Sequence, residues 1–277
     1  MKIEKLGLSI NVFDGTELLE SLLNELRSEV DYILISYQTK SYCGNKIDKE
    51  DLKEIKRLKR IKLVDKIIEF IPDVCLDNRA EETRKRNESI DILIENGCSH
   101  VLNIDADEFY NKKDFISAKK YLEDNDIEIS YCKYINYYRN FEHILVYQFE
   151  AYVPFIISIK YKFKYNHWCV GITDPTRRYE ITENKESDLK VVKMLSSDVI
   201  MMHHASWIRK DIRKKLENWS AKSYFTQQDI ENAVDCYNNF NSNSTRYAKM
   251  LFFSKDYELP IEKIDRICNI EIKKAWF

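Results

Sequence analysis

Three carboxylates stand within four residues, Asp105, Asp107 and Glu108, directly after the apolar run Val101-Leu102-Asn103-Ile104. A short apolar run of this kind predicts a strand buried on both faces, as in a parallel sheet. Acidic groups at the end of such a strand pose a problem. Buried and unpaired, each costs several kcal/mol or stays protonated. A divalent cation removes the conflict, because hard cations take oxygen ligands and join carboxylates to substrate phosphates. Open α/β sheets bind ligands beyond the carboxyl ends of their strands, where this cluster would lie. The run therefore predicts a fold class together with a corner where a metal and a diphosphate meet.

The first half of the chain alternates between strand and helix periodicities. Leu6 to Phe13 reads as a strand, and Thr16 to Arg27 as an amphipathic helix capped by Thr16, with Leu18, Leu19, Leu22, Leu23 and Leu26 in one stripe. Tyr32 to Ser36 is a second strand, Asp48 to Arg60 a charged helix, and Lys66 to Ile71 a third strand that stops at Pro72. Glu81 to Glu95 is a third helix, closed by Asn96-Gly97. This order predicts an α/β fold with a mostly parallel sheet and helices on both faces. Past about residue 115, stretches 127–139 and 144–164 are aromatic and β-prone, and Val199 to Met202 leads into His203-His204. From Trp207 onward the chain reads as helical and polar. Three parts are expected: 1–115, 116–205 as the other half of the same domain, and a C-terminal helical extension at 206–277.

The 277 residues suffice to bury a sizeable core, and 44% hydrophobic with 32% charged residues fits a soluble globular chain. A formal net charge of −2 argues against wholesale electrostatic binding to nucleic acid. Seven cysteines are scattered singly, with no CxxC pair, which suits a reducing compartment better than a disulfide framework or a zinc site. No secretory core opens the chain, and no apolar stretch reaches the ~18 residues of a membrane span. The expectation is a cytoplasmic protein, at most peripheral to the inner face of a membrane.

Three features resemble the GT-A glycosyltransferases, close to the family 2 type. They are the strand, helix and strand from Gly7 to Ser36; Lys85-Arg86-Asn87, similar to the family's "aRN" signature; and Asp105-Ala106-Asp107-Glu108-Phe109, similar to its DxD motif in the DxDEF form. The resemblance covers roughly residues 6 to 115. It implies a GT-A, Rossmann-like fold in which 1–115 binds a nucleotide sugar and 116–205 the acceptor. It also implies transfer of a hexose-like sugar from a nucleoside-diphosphate donor to a hydroxyl of a glycan, lipid-linked or protein acceptor. Asp105 and Asp107 would hold Mn2+ or Mg2+ with the diphosphate, the ion offsetting charge on the leaving group. One of Arg84, Arg86 and Asn87 would position the nucleotide. Where the family carries an acidic residue after the second strand, this chain has Gln38, which becomes the candidate for the base. A late histidine completes the metal site in several GT-A enzymes, which makes His203 or His204 a candidate. Strand alternation would turn only one of them inward.

An inverting transferase needs a carboxylate to accept the proton of the attacking hydroxyl. Asp174, in the turn-like Gly171-Ile172-Thr173-Asp174-Pro175, is the first choice and Glu183 the second. Glu108 reads equally as a salt-bridge partner for a lysine. Trp168 and the tyrosines at 131, 134, 137 and 138 offer faces for a sugar ring, though strand packing explains most of them. The basic segment Arg209 to Lys215 would suit anionic lipid or an acidic acceptor, but its apolar content is too low for firm anchoring, and a solvated face is the simpler reading. Two rival functions share the pattern. A nucleotidyltransferase uses similar metal-bound carboxylates but needs a Gly-rich loop, and the five glycines here are not clustered. A non-catalytic GT-A-like shell would bind its ligand without turnover.

Overall fold

Four parallel strands, β1 (Leu6–Val12), β2 (Tyr32–Tyr37), β3 (Lys66–Glu69) and β4 (His100–Asp105), are joined by α1 (Thr16–Leu26), α2 (Lys49–Arg60) and α3 (Asn78–Glu95). They lie in the order β3-β2-β1-β4. The chain thus builds outward from β1 to β3 and then returns to the other side of β1. That reversal leaves a crevice between the carboxyl ends of β1 and β4, where Asn11 is paired with Asp105. The computed structural model describes residues 2–147, 150–164, 174–178, 192–250 and 257–268.

Both faces of this sheet are covered. Leu6, Leu8, Ile10 and Val12 of β1 share one buried core with the five leucines of α1 and with Ile55 and Leu58 of α2. Each of those α1 leucines is fully buried, so truncating one to alanine would cost about 2–5 kcal/mol. On the other face, α3 crosses so closely that a Cβ on Gly7 would stand 2.9 Å from the Leu93 methyls. Ile90 and Leu93 pack there with Leu34 and Val101. Two helix starts differ from expectation. Helix α3 begins at Asn78 rather than Glu81, because the Asp77 carboxylate accepts hydrogen bonds from the Arg79 and Ala80 amides at 3.0 and 2.9 Å. Thr16 does not cap α1. Gly15 precedes the helix at φ 74°, and the Thr16 hydroxyl donates instead to Asp51.

After β4 the chain forms β5 (Glu108–Phe109), α4 (Lys112–Asp124), β6 (Ile129–Tyr138), β7 (Asn140–Leu145), β8 (Tyr152–Ser158), β9 (Val192–Leu195) and β10 (Met201–Trp207). Strand β8 lies antiparallel between β4 and β6 and extends the sheet. Strand β10 runs parallel to β6 and antiparallel to β5, with His204 opposite Glu108 and His203 opposite Phe109. That pairing carries the late histidines to the acidic cluster.

The remainder holds α5 (Ile212–Asn218), a 3-10 turn at Lys222–Tyr224, α6 (Gln227–Asn238), β11 (Tyr247–Met250) and β12 (Tyr257–Lys263). Among the described residues of the expected helical extension there are two helices and also two strands, of which β12 pairs with β7. A third core forms where α5 and α6 pack, through Ile212, Leu216, Ile230 and Val234, against Tyr138, Trp207 and Leu259. Among the described residues no helix is long and apolar enough to cross a membrane.

Candidate active site

Each carboxylate of the acidic cluster meets an arginine or lysine delivered by another part of the chain. Asp105, at the end of β4, accepts from Arg86 Nη2 on α3 at 2.9 and 3.1 Å. Arg86 is fully buried, and its other nitrogens donate to Thr176 Oγ1 (3.1 Å) and Asn103 Oδ1 (2.6 Å), while Nη2 also reaches Glu82 at 2.7 Å. Glu108 is gripped by Arg177 at 2.7 and 2.5 Å and turns back to accept the Asp105 amide at 3.0 Å. Arg177 also donates through Nε to Asp174 at 2.6 Å and through Nη1 to the Asn103 carbonyl at 3.1 Å. Fork-shaped pairs of this type are short and directional. Burial alone would raise the Asp174 carboxyl, yet Arg177 and Arg86 outweigh it and hold that group well below the usual carboxylate range.

Asp107 occupies a different corner. The segment leaving β10 brings Arg209, whose Nη2 lies 2.5 Å from Asp107 Oδ2, and α5 brings Lys215, whose Nζ lies 2.8 Å from the same oxygen. Lys215 also donates to Ser206 Oγ at 2.7 Å. His204 Nε2 stands 3.6 Å from Asp107 Oδ1. Burial would raise the Asp107 carboxyl, but Lys215, Arg209 and His204 together depress it well below its ordinary value. Arg209 is only 6% exposed, and its Nε and Nη1 have no partner among the described residues. Nη1 faces the loop between β1 and α1, where a Cβ added to Gly15 would stand 1.8 Å away. Gly15 thus meets two demands, a left-handed backbone and room for a guanidinium. Asp14 beside it, 3.9 Å from Arg209 Nη2, is raised by burial.

Beneath the crevice lies a buried polar floor. Ser9 Oγ, both side-chain atoms of Asn11, Ser36 Oγ and Asn103 Nδ2 lack partners among the described residues, and these positions are neighbours in the β2-β1-β4 register. Lys85 projects from α3 to the ends of β1 and β2, donating to the Val12 carbonyl at 3.1 Å and to Gln38 Oε1 at 3.0 Å. Burial pushes its amine down to about 7.

The residues singled out by sequence therefore take distinct places. Asp105, Arg86 and Asp174 converge, joined by Glu108, while Asp107 sits in the neighbouring corner with Arg209 and Lys215. Gln38 is 1% exposed, its amide engaged by Lys85 and by the Lys40 carbonyl at 2.9 Å. Asn87 pairs in both directions with the Phe163 main chain at 2.9 Å. Arg84 is on the surface, over the Phe70 ring and bonded to Glu81, Glu88 and the Ile71 carbonyl. His203 turns away from the cluster into a pocket with Tyr137 Oη (2.7 Å) and Asn111 Nδ2 (3.2 Å), where burial pushes it down to about 4. Tyr131, Tyr137 and Tyr138 are core residues. Trp168 and Glu183 lie outside the described residues. The basic segment read as a solvated or lipid-facing surface is corrected: Arg209 and Lys215 point inward, Lys214 binds Asp48 and Asp51, and Arg213 binds Glu231. Sequence reasoning missed Arg177, Arg209, Lys215 and Gly15 as parts of the site. Asp14-Gly15 after a strand is the one local signal that could have marked the loop.

The fit to a divalent ion can now be judged. Asp107 Oδ2 already takes two cationic donors, Asp105 takes Arg86, and Glu108 takes Arg177. Among the described residues no group of three or more His, Cys, Asp or Glu side chains is arranged to hold a metal. As folded, the cluster does not fit the ion that the sequence led us to expect. The charge conflict that called for a cation is resolved by arginines from distant segments.

No protein-family model matches the chain, and no curated protein matches it. Among solved structures, residues 1–349 of TarS from S. aureus align over 84% of this chain and 70% of that one, at 10% identity and a TM-score of 0.45. GalNAc-T7 with UDP, GalNAc and Mn2+ aligns over 86% of this chain and 51% of its own, at 12% identity and 0.40. A CMP:2-keto-3-deoxy-manno-octonic acid synthetase complexed with CTP aligns over 70% of this chain and 90% of its own, at 9% identity and 0.36. This chain thus spans about half of GalNAc-T7. At these values the likeness is one of broad chain trace, and any assignment of chemistry rests on the side chains of the site.

Proposed function

We propose that the protein is a glycosyltransferase that moves a sugar from a nucleoside-diphosphate donor to an acceptor hydroxyl. One observation carries the reading: the acidic cluster and a buried, incompletely bonded guanidinium meet at the crevice between the carboxyl ends of β1 and β4. That is where an open α/β sheet binds nucleotides. The motif resemblance at Lys85-Arg86-Asn87 and Asp105 to Phe109 selects a sugar nucleotide over other ligands.

In the transfer, the bond from the sugar's anomeric carbon to the β-phosphate oxygen breaks, and its electron pair stays with the diphosphate. A new bond forms to the acceptor oxygen, whose proton passes to a base. Asp174 is held by Arg177 and Thr176 and is depressed, so it is a weak proton acceptor. Glu183 is the other candidate for the base. The acceptor, a glycan, lipid-linked or protein hydroxyl, would be met by residues 116–205. A metal-dependent version would need Asp105 and Asp107 to exchange their guanidinium partners for the ion, and no step is assigned to one here.

The test is a screen of UDP- and GDP-linked sugars, with nucleoside triphosphates alongside, for binding by thermal shift and for slow hydrolysis. A thermal shift with one donor and release of its nucleotide support the reading. Binding without release at any enzyme concentration would instead indicate a non-catalytic shell. Release of pyrophosphate from a nucleoside triphosphate would indicate a nucleotidyltransferase.

A further inference from the structure

The corner at Asp107 carries an inference that rests on the glycosyltransferase reading and deepens it. Two cations, the buried Arg209 and the partly buried Lys215, converge on one carboxylate oxygen. Of the three guanidinium nitrogens of Arg209 only Nη2 has a partner, while Nε and Nη1 have none among the described residues. A guanidinium that is 6% exposed with two idle nitrogens is expensive to keep, since buried donors left unmatched cost free energy. It is also held in an unusual place. The left-handed Gly15 admits it to within a distance that any side chain would obstruct. Arginine presents a fork suited to phosphate oxygens, and lysine a compact point charge for the same group.

We infer that Arg209 and Lys215 bind the donor's diphosphate directly, in place of a divalent ion, and that Asp107 is the counter-ion that holds the two cations ready. A metal ion on Asp107 would have to sit against both of them, at a distance where like charges repel strongly in a buried site. An incoming diphosphate brings negative charge to the two cations and competes with Asp107 for them, while Asp14, 3.9 Å from Arg209 Nη2, is raised by burial. The loop at Gly15 and the start of α5 would then form the two walls of the phosphate site, on either side of Asp107. The diphosphate leaves as an anion when the sugar transfers, and cations fixed in the fold can stabilise it without reorganising.

Calorimetric titration of UDP, GDP and CDP, and of UMP, GMP and CMP, into EDTA-treated protein and into protein with added Mn2+ tests this. A nucleoside diphosphate that binds equally well in EDTA and in Mn2+ is the expected result. Arg209→Gln and Lys215→Gln should each weaken that diphosphate by about tenfold or more, with the matching monophosphate changed far less. Arg209→Lys should restore part of the loss, and thermal unfolding of every variant shows that it is folded. The sharpest arm is Asp107→Asn. Removing a competing counter-ion should tighten diphosphate binding, whereas removing a metal ligand should weaken it by about tenfold or more. Diphosphate binding that appears only with Mn2+, or a loss in Asp107→Asn, overturns the inference and leaves the glycosyltransferase reading in place. No nucleotide binding in either buffer overturns both.

Discussion

The two sides of the acidic cluster are built from the same residue types and are satisfied to different degrees. On the Asp105 side, all three nitrogens of Arg86 and of Arg177 have partners, and the carboxylates of Asp105, Glu108 and Asp174 close the network. On the Asp107 side, Arg209 uses one nitrogen of three among the described residues. A saturated network has little left to give a ligand. Its partners fix geometry, tying α3, the end of β4 and the segment at 174–178 together. An unsaturated one keeps binding capacity that the fold has already desolvated, at a cost to the folded state. Saturation thus separates the scaffold from the site more cleanly than residue type does.

The largest expected effect tests that division. Arg177→Met would leave Glu108 buried without its cation and Asp174 with only Thr176 and the more distant Arg86, and loss of one partner of a buried ion pair costs about 3–5 kcal/mol. Arg209→Gln should cost less than about 1 kcal/mol, because two unmatched donors leave with the charge and Lys215 still pairs Asp107. Urea unfolding of the two variants measures the difference. Equal losses would erase the distinction between the two corners. Gly15→Ala comes next. It forces a Cβ into a left-handed backbone and onto Arg209 Nη1, so about 1–2 kcal/mol of stability should go with the backbone term alone. UDP titration of the same variant should show weaker binding, since the guanidinium must move; unchanged affinity would detach Gly15 from the site.

How much of this could be read from the sequence follows the same division between local and distant causes. Strands β1, β2 and β4 and the leucine face of α1 are set by period and apolar runs over short windows, and they lie within a residue or so of their expected bounds. The placement of Asp105 and Asp107 at a strand end was equally legible. The partners from later in the chain were not, because Arg177 is 69 residues beyond Glu108 and Arg209 is 102 beyond Asp107. Nothing in the local pattern says that two guanidinium groups will fold back to neutralise the cluster, so a metal was the economical guess. The histidine pair shows the same limit. Alternation predicted that only one would face the cluster, and the β5–β10 register, set by long-range pairing, selects His204. Strand β12 was missed as part of the sheet because, beyond its local pairing with β11, it joins the sheet only through the distant edge of β7.

The basic run 84–86 offers finer tests, because the three residues meet three different environments. Lys85 is 2% exposed, with its amine lowered to about 7 against an ordinary lysine value of about 10.4. Between those values the unfolded chain holds more protons than the folded one, so this group makes stability rise with pH from about 7 to about 10, and the contribution is lost as pH falls through 7. The slope from one such group is at most about 1.4 kcal/mol per pH unit. Lys85→Met should flatten the curve of unfolding free energy against pH over that window. An unchanged slope would mean that Lys85 titrates normally and that its bonds to Val12 and Gln38 do not hold it buried.

Arg84, one residue earlier, should do least. Its side chain is 43% exposed, and its pairs with Glu81 and Glu88 run along one face of α3 at i−3 and i+4. Solvent screens such pairs, and each contributes about 0.2–1 kcal/mol at most. The stacking on Phe70 and the bond to the Ile71 carbonyl hold the loop after β3, not the crevice. Arg84→Ala should therefore lower stability by less than about 1 kcal/mol, and 0.5 M salt should remove part of the difference from the parent protein. UDP affinity should remain within about twofold of the parent. A larger loss of affinity would mean that the nucleotide reaches the outer face of α3, and the line between scaffold and site would then have to be drawn through the helix surface instead of through the idle nitrogens of Arg209.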